Sequence, residues 1–189
     1  MQNMKQDKRA FNLCVRCGTC RTVCPVFEEA GWESANTRGR MMIIKELCSG
    51  RLEADQGVKD SLNTCTTCGL CTENCPAGIS PPDIIERARG MLVALGLTTS
   101  ELEDLDRKIL NSGNTFGEKT DRLCWLPDRS LIREKADYVY FVGCMNSYRY
   151  HEAARRTFSI LSQFGATLLA GEQCCGSPLL RTGFDARKV

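Results

Sequence analysis

The chain has 13 cysteines in 189 residues against a single histidine. Eight of them fall into two matching runs, Cys14-Val-Arg-Cys17-Gly-Thr-Cys20-Arg-Thr-Val-Cys24-Pro25 and Cys65-Thr-Thr-Cys68-Gly-Leu-Cys71-Thr-Glu-Asn-Cys75-Pro76. Both read C-x2-C-G-x-C-x3-C-P, and six of the twelve positions are identical, including a glycine and a proline that bind no metal. Two copies make an internal duplication rather than a solenoid. A cubane of four irons and four sulfides offers one open coordination site per iron, and thiolate is the soft ligand it takes. Three cysteines at three-residue intervals can wrap one side of such a cube from a single loop. Gly18 and Gly69 allow a backbone conformation that a side chain would forbid, and the proline after the fourth cysteine turns the chain away. In two-cluster ferredoxins the fourth cysteine of each run ligates the other cluster. Carried over, Cys14, Cys17, Cys20 and Cys75 hold cluster 1, and Cys65, Cys68, Cys71 and Cys24 hold cluster 2. Zinc is the alternative, but zinc sites use four ligands, often as two C-x2-C pairs. A third cysteine, and a fourth followed by proline, repeated in both runs, have no use there.

The elements that must position these thiols read as helices. Arg38 to Cys48 places Met41, Ile44, Leu47 and Cys48 on one face, with Gly50 as a stop. Ser80-Pro-Pro-Asp83 is a helix start, with a capping serine and prolines in the first turn. Ile84, Ile85, Ala88, Met91, Leu92 and Leu95 follow at helical spacing, closed by Gly96. Ser100 with Glu103 repeats a capping signature before Leu102, Leu105, Ile109 and Leu110. No β-branched strands surround the motifs, so the first half is expected to be all-helical. From Asp137 the period changes. Tyr138 to Val142 reads as a buried parallel strand, and Ser147 can cap a helix carrying Ala153, Thr157, Ile160, Leu161 and Phe164. Ala166 to Ala170 is a second strand. Cys144 follows the first strand and Cys174-Cys175-Gly176 the second, at the carboxyl ends where α/β units bind ligands.

The first ninety-odd residues resemble the helical ferredoxin module of the CCG-type iron–sulfur oxidoreductases. The resemblance is carried by both cysteine runs, the Cys24-Pro-Val-Phe27 exit, Arg38-Gly-Arg40, and Cys75-Pro-Ala-Gly-Ile79. The stretch Gly113-Asn-Thr-Phe-Gly117 resembles the turn between that family's two domains. Cys174-Cys-Gly-Ser-Pro-Leu-Leu-Arg-Thr-Gly183 is most similar to the heterodisulfide reductase branch. The resemblance implies that Cys144, Cys174 and Cys175 contribute to a third, noncubane cluster on which disulfide chemistry occurs. The family completes that site with a C-x-x-C further downstream than Val189. The alternative for these three residues is buried thiols in a partial domain.

The expected fold is mainly α: an all-helical two-[4Fe-4S] ferredoxin module followed by an incomplete α/β, strand–helix–strand start of a CCG domain. The expected divisions are a dicluster domain at 1–96, a helical or irregular connector at 97–136 and the cysteine-rich domain at 137–189. The resemblance implies an oxidoreductase subunit that passes electrons toward a disulfide-reducing site. The alternatives are the iron–sulfur part of a flavin-dependent glycolate, lactate or glycerol-3-phosphate dehydrogenase, and a non-catalytic electron carrier. The implied partners are further subunits, whether flavoprotein, haem or iron–sulfur donor. Catalytic residues are not assigned.

Composition narrows the rest. With 25 Lys+Arg against 23 Asp+Glu the net charge is +2, without the basic stripe that nucleic-acid binding needs. Residues 1–10 are polar with no apolar stretch behind them, so no signal peptide is expected. The longest apolar run, Tyr138 to Met145, falls short of the roughly 20 residues that span a bilayer. A cytoplasmic protein with reduced thiols is expected, reaching a membrane only through a partner. No Gly-x-Gly-x-x-Gly or phosphate loop points to flavin or nicotinamide. His151 is expected to be a surface or packing residue, Cys48 a core residue and Cys124 a packing residue, and Trp32 and Trp125 are expected to pack between elements. Arg16 and Arg21 lie among the first-run cysteines, where Thr66, Thr67 and Glu73 stand in the second. That difference predicts a higher reduction potential for cluster 1.

Overall fold

Helices carry the first half of the chain. A computed structural model describes residues 13–133 and 135–188; the polar stretch 1–10 lies outside the described residues. The first cysteine run leads into two short helices, α1 (Thr19–Thr22) and α2 (Pro25–Ala30), then a 3-10 turn at Glu33–Ala35. The next helix, α3 (Thr37–Cys48), begins at Asn36, whose side chain accepts from the N–H groups of Arg38 at 2.7 Å and Gly39 at 3.3 Å. Such capping satisfies donors that the first helical turn leaves open. Asp55 caps α4 (Gln56–Asn63) in the same way, accepting from Val58 at 2.8 Å. The second run then forms α5 (Leu70–Glu73), and α6 (Pro81–Ala94) opens with proline in its first turn. Ser80 makes no side-chain cap, and α6 starts on Pro81 and Pro82 with Asp83 in its first turn.

Apolar residues at helical spacing on α3, α4 and α6 close on one another. Met41, Ile44, Val58, Leu62, Ile84, Ile85, Ala88 and Leu92 are buried together with Ile79. This core belongs to a compact unit of Met1–Leu102 with Leu179–Asp185. The next helix, α7 (Ser100–Ser112), differs from expectation at its cap: Thr99 Oγ1, not Ser100, accepts the Leu102 N–H, at 3.4 Å.

The second unit, Glu103–Pro178 with Ala186–Val189, contains β1 (Tyr138–Tyr140), α8 (Gly143–Tyr148), α9 (His151–Gln163) and β2 (Ala166–Leu168). A last helix, α10 (Ser177–Thr182), follows. The strands pair in parallel, with Tyr138 opposite Ala166 and Tyr140 opposite Leu168. Trp125, Leu126, Val142, Ala154, Phe158 and Leu168 form the core, and Trp125 meets Phe158 edge-on at 6.1 Å. The architecture is mainly α, with a two-stranded sheet.

Four local expectations differ from what the structure shows. Each strand is three residues long, not five, and β1 is not buried: Tyr138 is 64% and Val139 54% exposed. Among the described residues β1 has one strand neighbour, β2. Ser147 does not cap the long helix; it is buried inside α8, and α9 begins after Tyr150. Trp32, expected to pack, is 64% exposed. No helix of the described residues is long and apolar enough to cross a membrane.

Candidate functional site

The duplicated sequence gives a duplicated backbone. Gly18 and Gly69 both adopt left-handed φ, at 88° and 84°, and each starts a four-residue helix. Among the described residues, the two non-glycine positions with positive φ are Arg16 and Thr67. They occupy the same place in the two runs, just before the second cysteine. Left-handed turns of this kind aim successive N–H groups inward, as anion-binding loops do. Thr67 shows the consequence, its N–H donating to Cys65 Sγ at 3.4 Å.

Two hollows open among these loops. One, of about 430 Å³, is lined by Cys14, Cys17, Cys20 and Cys75, with Arg38, Met41 and Pro76 among its walls. The other, of about 310 Å³, is lined by Cys24, Cys65, Cys68 and Cys71, with Arg40 and Pro82. Cys71 and Thr37 line both, so the hollows abut. The first hollow gathers three cysteines of the first run with Cys75 and the shared Cys71, and the second gathers three of the second run with Cys24. Among the described residues, no three His, Cys, Asp or Glu groups close around a point fit for one metal ion. Ligands at the corners of a four-iron cube stand further apart than ligands sharing a single metal.

The thiols are electrostatically crowded. Burial pushes Cys20 up to about 11, and nearby Cys71, Cys14 and Cys17 add to the rise. Burial also raises Cys71, with Cys65 and Cys68 contributing. The Thr19 hydroxyl, 3.3 Å from Cys17 Sγ, pulls exposed Cys17 down. Such thiols become thiolates readily when a cationic metal compensates the charge. The donor set and the inward N–H groups fit an iron–sulfur cube.

One close approach sets the wall between the hollows. A Cβ on Gly39 would lie 2.0 Å from the Glu33 carbonyl oxygen, so only glycine lets α3 touch the turn before it. Its neighbours then diverge, with Arg38 lining the first hollow and Arg40 the second. Arg38 is held bidentately by Glu33 at 2.6 and 3.0 Å.

In the second unit, Cys144 and Cys174 lie close enough to affect each other: burial pushes Cys174 up to about 11, and Cys144 adds to it. Cys175 is exposed. Glu172 joins their two loops. Its carboxylate accepts from Val142 N–H at 2.8 Å and Gly143 N–H at 2.9 Å, and pairs with Arg122 at 2.8 Å. Arg122 in turn reaches Cys144 Sγ at 3.6 Å. Gly113 O accepts the Cys174 N–H at 2.7 Å, and fully buried Asn114 fixes that turn by accepting from Phe116 and Glu118. Cys124, expected to be packing, is exposed, and its Sγ lies 3.9 Å from His151 Nε2.

Sequence reasoning missed Arg122 and Glu172, and gave Asn114, Arg38 and Arg40 no role of their own. Arg122 and Glu172 are 50 residues apart, and no spacing rule connects them.

The pattern of paired cysteine-lined hollows and a cysteine-rich second unit matches two family models. They are a 4Fe-4S dicluster domain over residues 10–79 and a cysteine-rich domain, CCG, over residues 138–189. The chain thus carries both a 4Fe-4S dicluster domain and a CCG cysteine-rich domain, and 4Fe-4S clusters are the cofactors of the homologues that share them. It is 33% identical to a subunit of the dihydromethanophenazine:CoB–CoM heterodisulfide reductase of Methanosarcina barkeri, over 92% of this chain and 47% of that protein. It is 31% identical to a subunit of the fumarate reductase (CoM/CoB) of Methanothermobacter marburgensis, over 94% of this chain and 37% of that one. A probable glycolate oxidase iron–sulfur subunit of Bacillus subtilis is 35% identical over 47% of this chain and 20% of its own length. The chain thus spans about half the length, or less, of these curated relatives. No solved structure matches it.

Proposed function

We propose that this chain is the electron-transferring iron–sulfur part of an oxidoreductase of the heterodisulfide reductase type. Cys14, Cys17, Cys20 and Cys75 would hold one [4Fe-4S] cluster, and Cys65, Cys68, Cys71 and Cys24 the other. The observation that carries this reading is that two abutting hollows gather the eight thiols, Cys75 joining the first-run cysteines in one and Cys24 joining the second-run cysteines in the other, with Cys71 lining both. When bound, such clusters supply one-electron storage and transfer. The residues of this chain hold the thiols apart, donate N–H groups to sulfur as Thr67 does, and keep the two sites side by side through Thr37 and Cys71.

Cys144, Cys174 and Cys175 are proposed as part of the ligand set of a third, noncubane cluster, completed by ligands from elsewhere. A dicluster domain at 1–96, a connector at 97–136 and the cysteine-rich domain at 137–189 remain the proposed divisions. Relatives over most of this chain's length are a heterodisulfide reductase and a CoM/CoB-linked fumarate reductase, which favours disulfide chemistry. The glycolate oxidase protein matches about half of the chain, as a module shared between different oxidoreductases would. Because those relatives are named as subunits, the partners proposed are other subunits of a reductase complex, a flavoprotein, haem or iron–sulfur donor among them. A reducing, cytoplasmic setting suits thiols kept for metal.

Iron and sulfide counting on anaerobically purified protein, with EPR after reduction, tests the reading. About eight irons per chain and two interacting reduced-cluster signals are expected if the third site is not filled. Zinc in place of iron, with no signal, would overturn it.

A further inference from the structure

Arg40 is fully buried, and nothing in the cluster ligation uses it. From α3 it reaches the carboxyl end of α4, where Nε donates to Ser61 O at 2.7 Å and Nη2 to Thr64 Oγ1 at 2.9 Å. Its third nitrogen, Nη1, is buried without a partner. The side chain lines the hollow of Cys24, Cys65, Cys68 and Cys71. Both of its acceptors are neutral, and no carboxylate pairs with it among the described residues. A buried guanidinium without a counter-charge is costly, and a buried N–H without an acceptor adds to that cost. The negative charge that answers both requirements is the set of four thiolates in the same hollow.

The first hollow is built differently. Its Arg38 is already neutralised by Glu33, and both side chains reach water, at 29% and 46% exposure. Arg21 is turned over the Phe27 ring at 4.8 Å and does not line that hollow. Arg16 lines it but is exposed, and water and salt screen an exposed charge. The Arg38-Gly-Arg40 segment therefore sends one compensated, wet cation toward the first site and one uncompensated, dry cation toward the second.

We infer that Arg40 is a positioning residue for the second site, its free Nη1 donating to sulfur there, and that it makes the cluster held by Cys65, Cys68, Cys71 and Cys24 the more easily reduced of the two. The sign follows from charge. A cube with four thiolates is net negative, and one added electron makes it more so. A nearby cation and a hydrogen bond to sulfur both favour that added charge and raise the potential. In a low-dielectric interior the effect exceeds that of an exposed arginine. The order is the reverse of what Arg16 and Arg21 suggest from sequence alone. The inference rests on the two-cluster reading above.

The test is an EPR-monitored redox titration of the iron-loaded chain, with signals assigned by their response to Cys17→Ser and Cys68→Ser. In the wild type, the signal altered by Cys68→Ser should have the higher potential. Arg40→Gln should lower that potential so that the reduced-to-oxidised ratio at a fixed potential falls at least tenfold, about 59 mV for one electron. The other signal should stay in place. Arg40→Lys, which keeps the charge, should recover most of the shift, and Arg38→Gln should move the second site by less than Arg40→Gln. Equal potentials, the opposite order, or an Arg40→Gln variant that moves both signals alike would overturn the inference. If Arg40→Gln does not assemble, the wild-type order and Arg40→Lys still decide. Iron well short of about eight per chain in the wild type would instead overturn the two-cluster reading, and the inference with it.

Discussion

In the first unit the cysteines ride on elements with almost no interior of their own. Helices α1 and α2 bury no residue, and α5 buries only Cys71; the apolar core lies between α3, α4 and α6. In the second unit Cys144 and Cys174 are tied to a fold that already has a core around Trp125 and Phe158. Glu172 and Arg122 bind their loops together there. The difference teaches where metal acts as a folding element. Hydrophobic burial holds α1, α2 and α5 only weakly, so bound clusters are expected to add stability there. The loops of the second unit have protein partners in place.

The largest contrast should come from iron removal. Chelation under reducing conditions should abolish hydrogen-exchange protection around residues 19–30 and 65–75, because binding free energy is folding free energy there. The environment of buried Trp125, followed by its fluorescence in a Trp32→Phe background, should hardly change. Equal loss in both units would break the comparison.

Glu172→Ala sharpens it from the other side. It leaves Arg122 buried and unpaired and frees two backbone N–H groups, which should cost the second unit about 3–5 kcal/mol. Denaturant melts followed at Trp125 would show the loss, while the EPR signals of the two cubane clusters should be unaltered. A smaller effect is expected from Gly39→Ala in the first unit. The added methyl meets the backbone of Glu33, and overpacking of this kind costs about 1–3 kcal/mol. Its visible outcome should be lower iron retention at both sites on mild heating, since α3 forms a wall of each hollow.

Much of this was legible in the sequence because it is local. The two cysteine runs that line the hollows, the glycines between them and the faces of α3 and α6 depend on spacings of a few residues, which a linear pattern shows directly. The start of α7 slipped by one residue because Thr99 and Ser100 carry the same capping chemistry. The burial of β1 was misjudged because an apolar run such as Tyr138 to Val142 reports propensity, whereas burial needs a neighbour on each face. Arg40 and the Arg122–Glu172 pair were invisible for a deeper reason. Charged residues read as surface until a fold brings acceptors 21 to 50 residues away against them.

The central claim is that each cluster is completed by a cysteine from the other run, and single-ligand substitution tests it most directly. Cys24 sits in the first run by sequence but lines the hollow of the second, and Cys75 does the converse. The EPR spectrum and iron content of Cys24→Ala should therefore match those of Cys68→Ala, with the cluster of Cys14, Cys17 and Cys20 retained. A Cys24→Ala spectrum that matches Cys17→Ala instead, with the second-run cluster intact, would contradict the account.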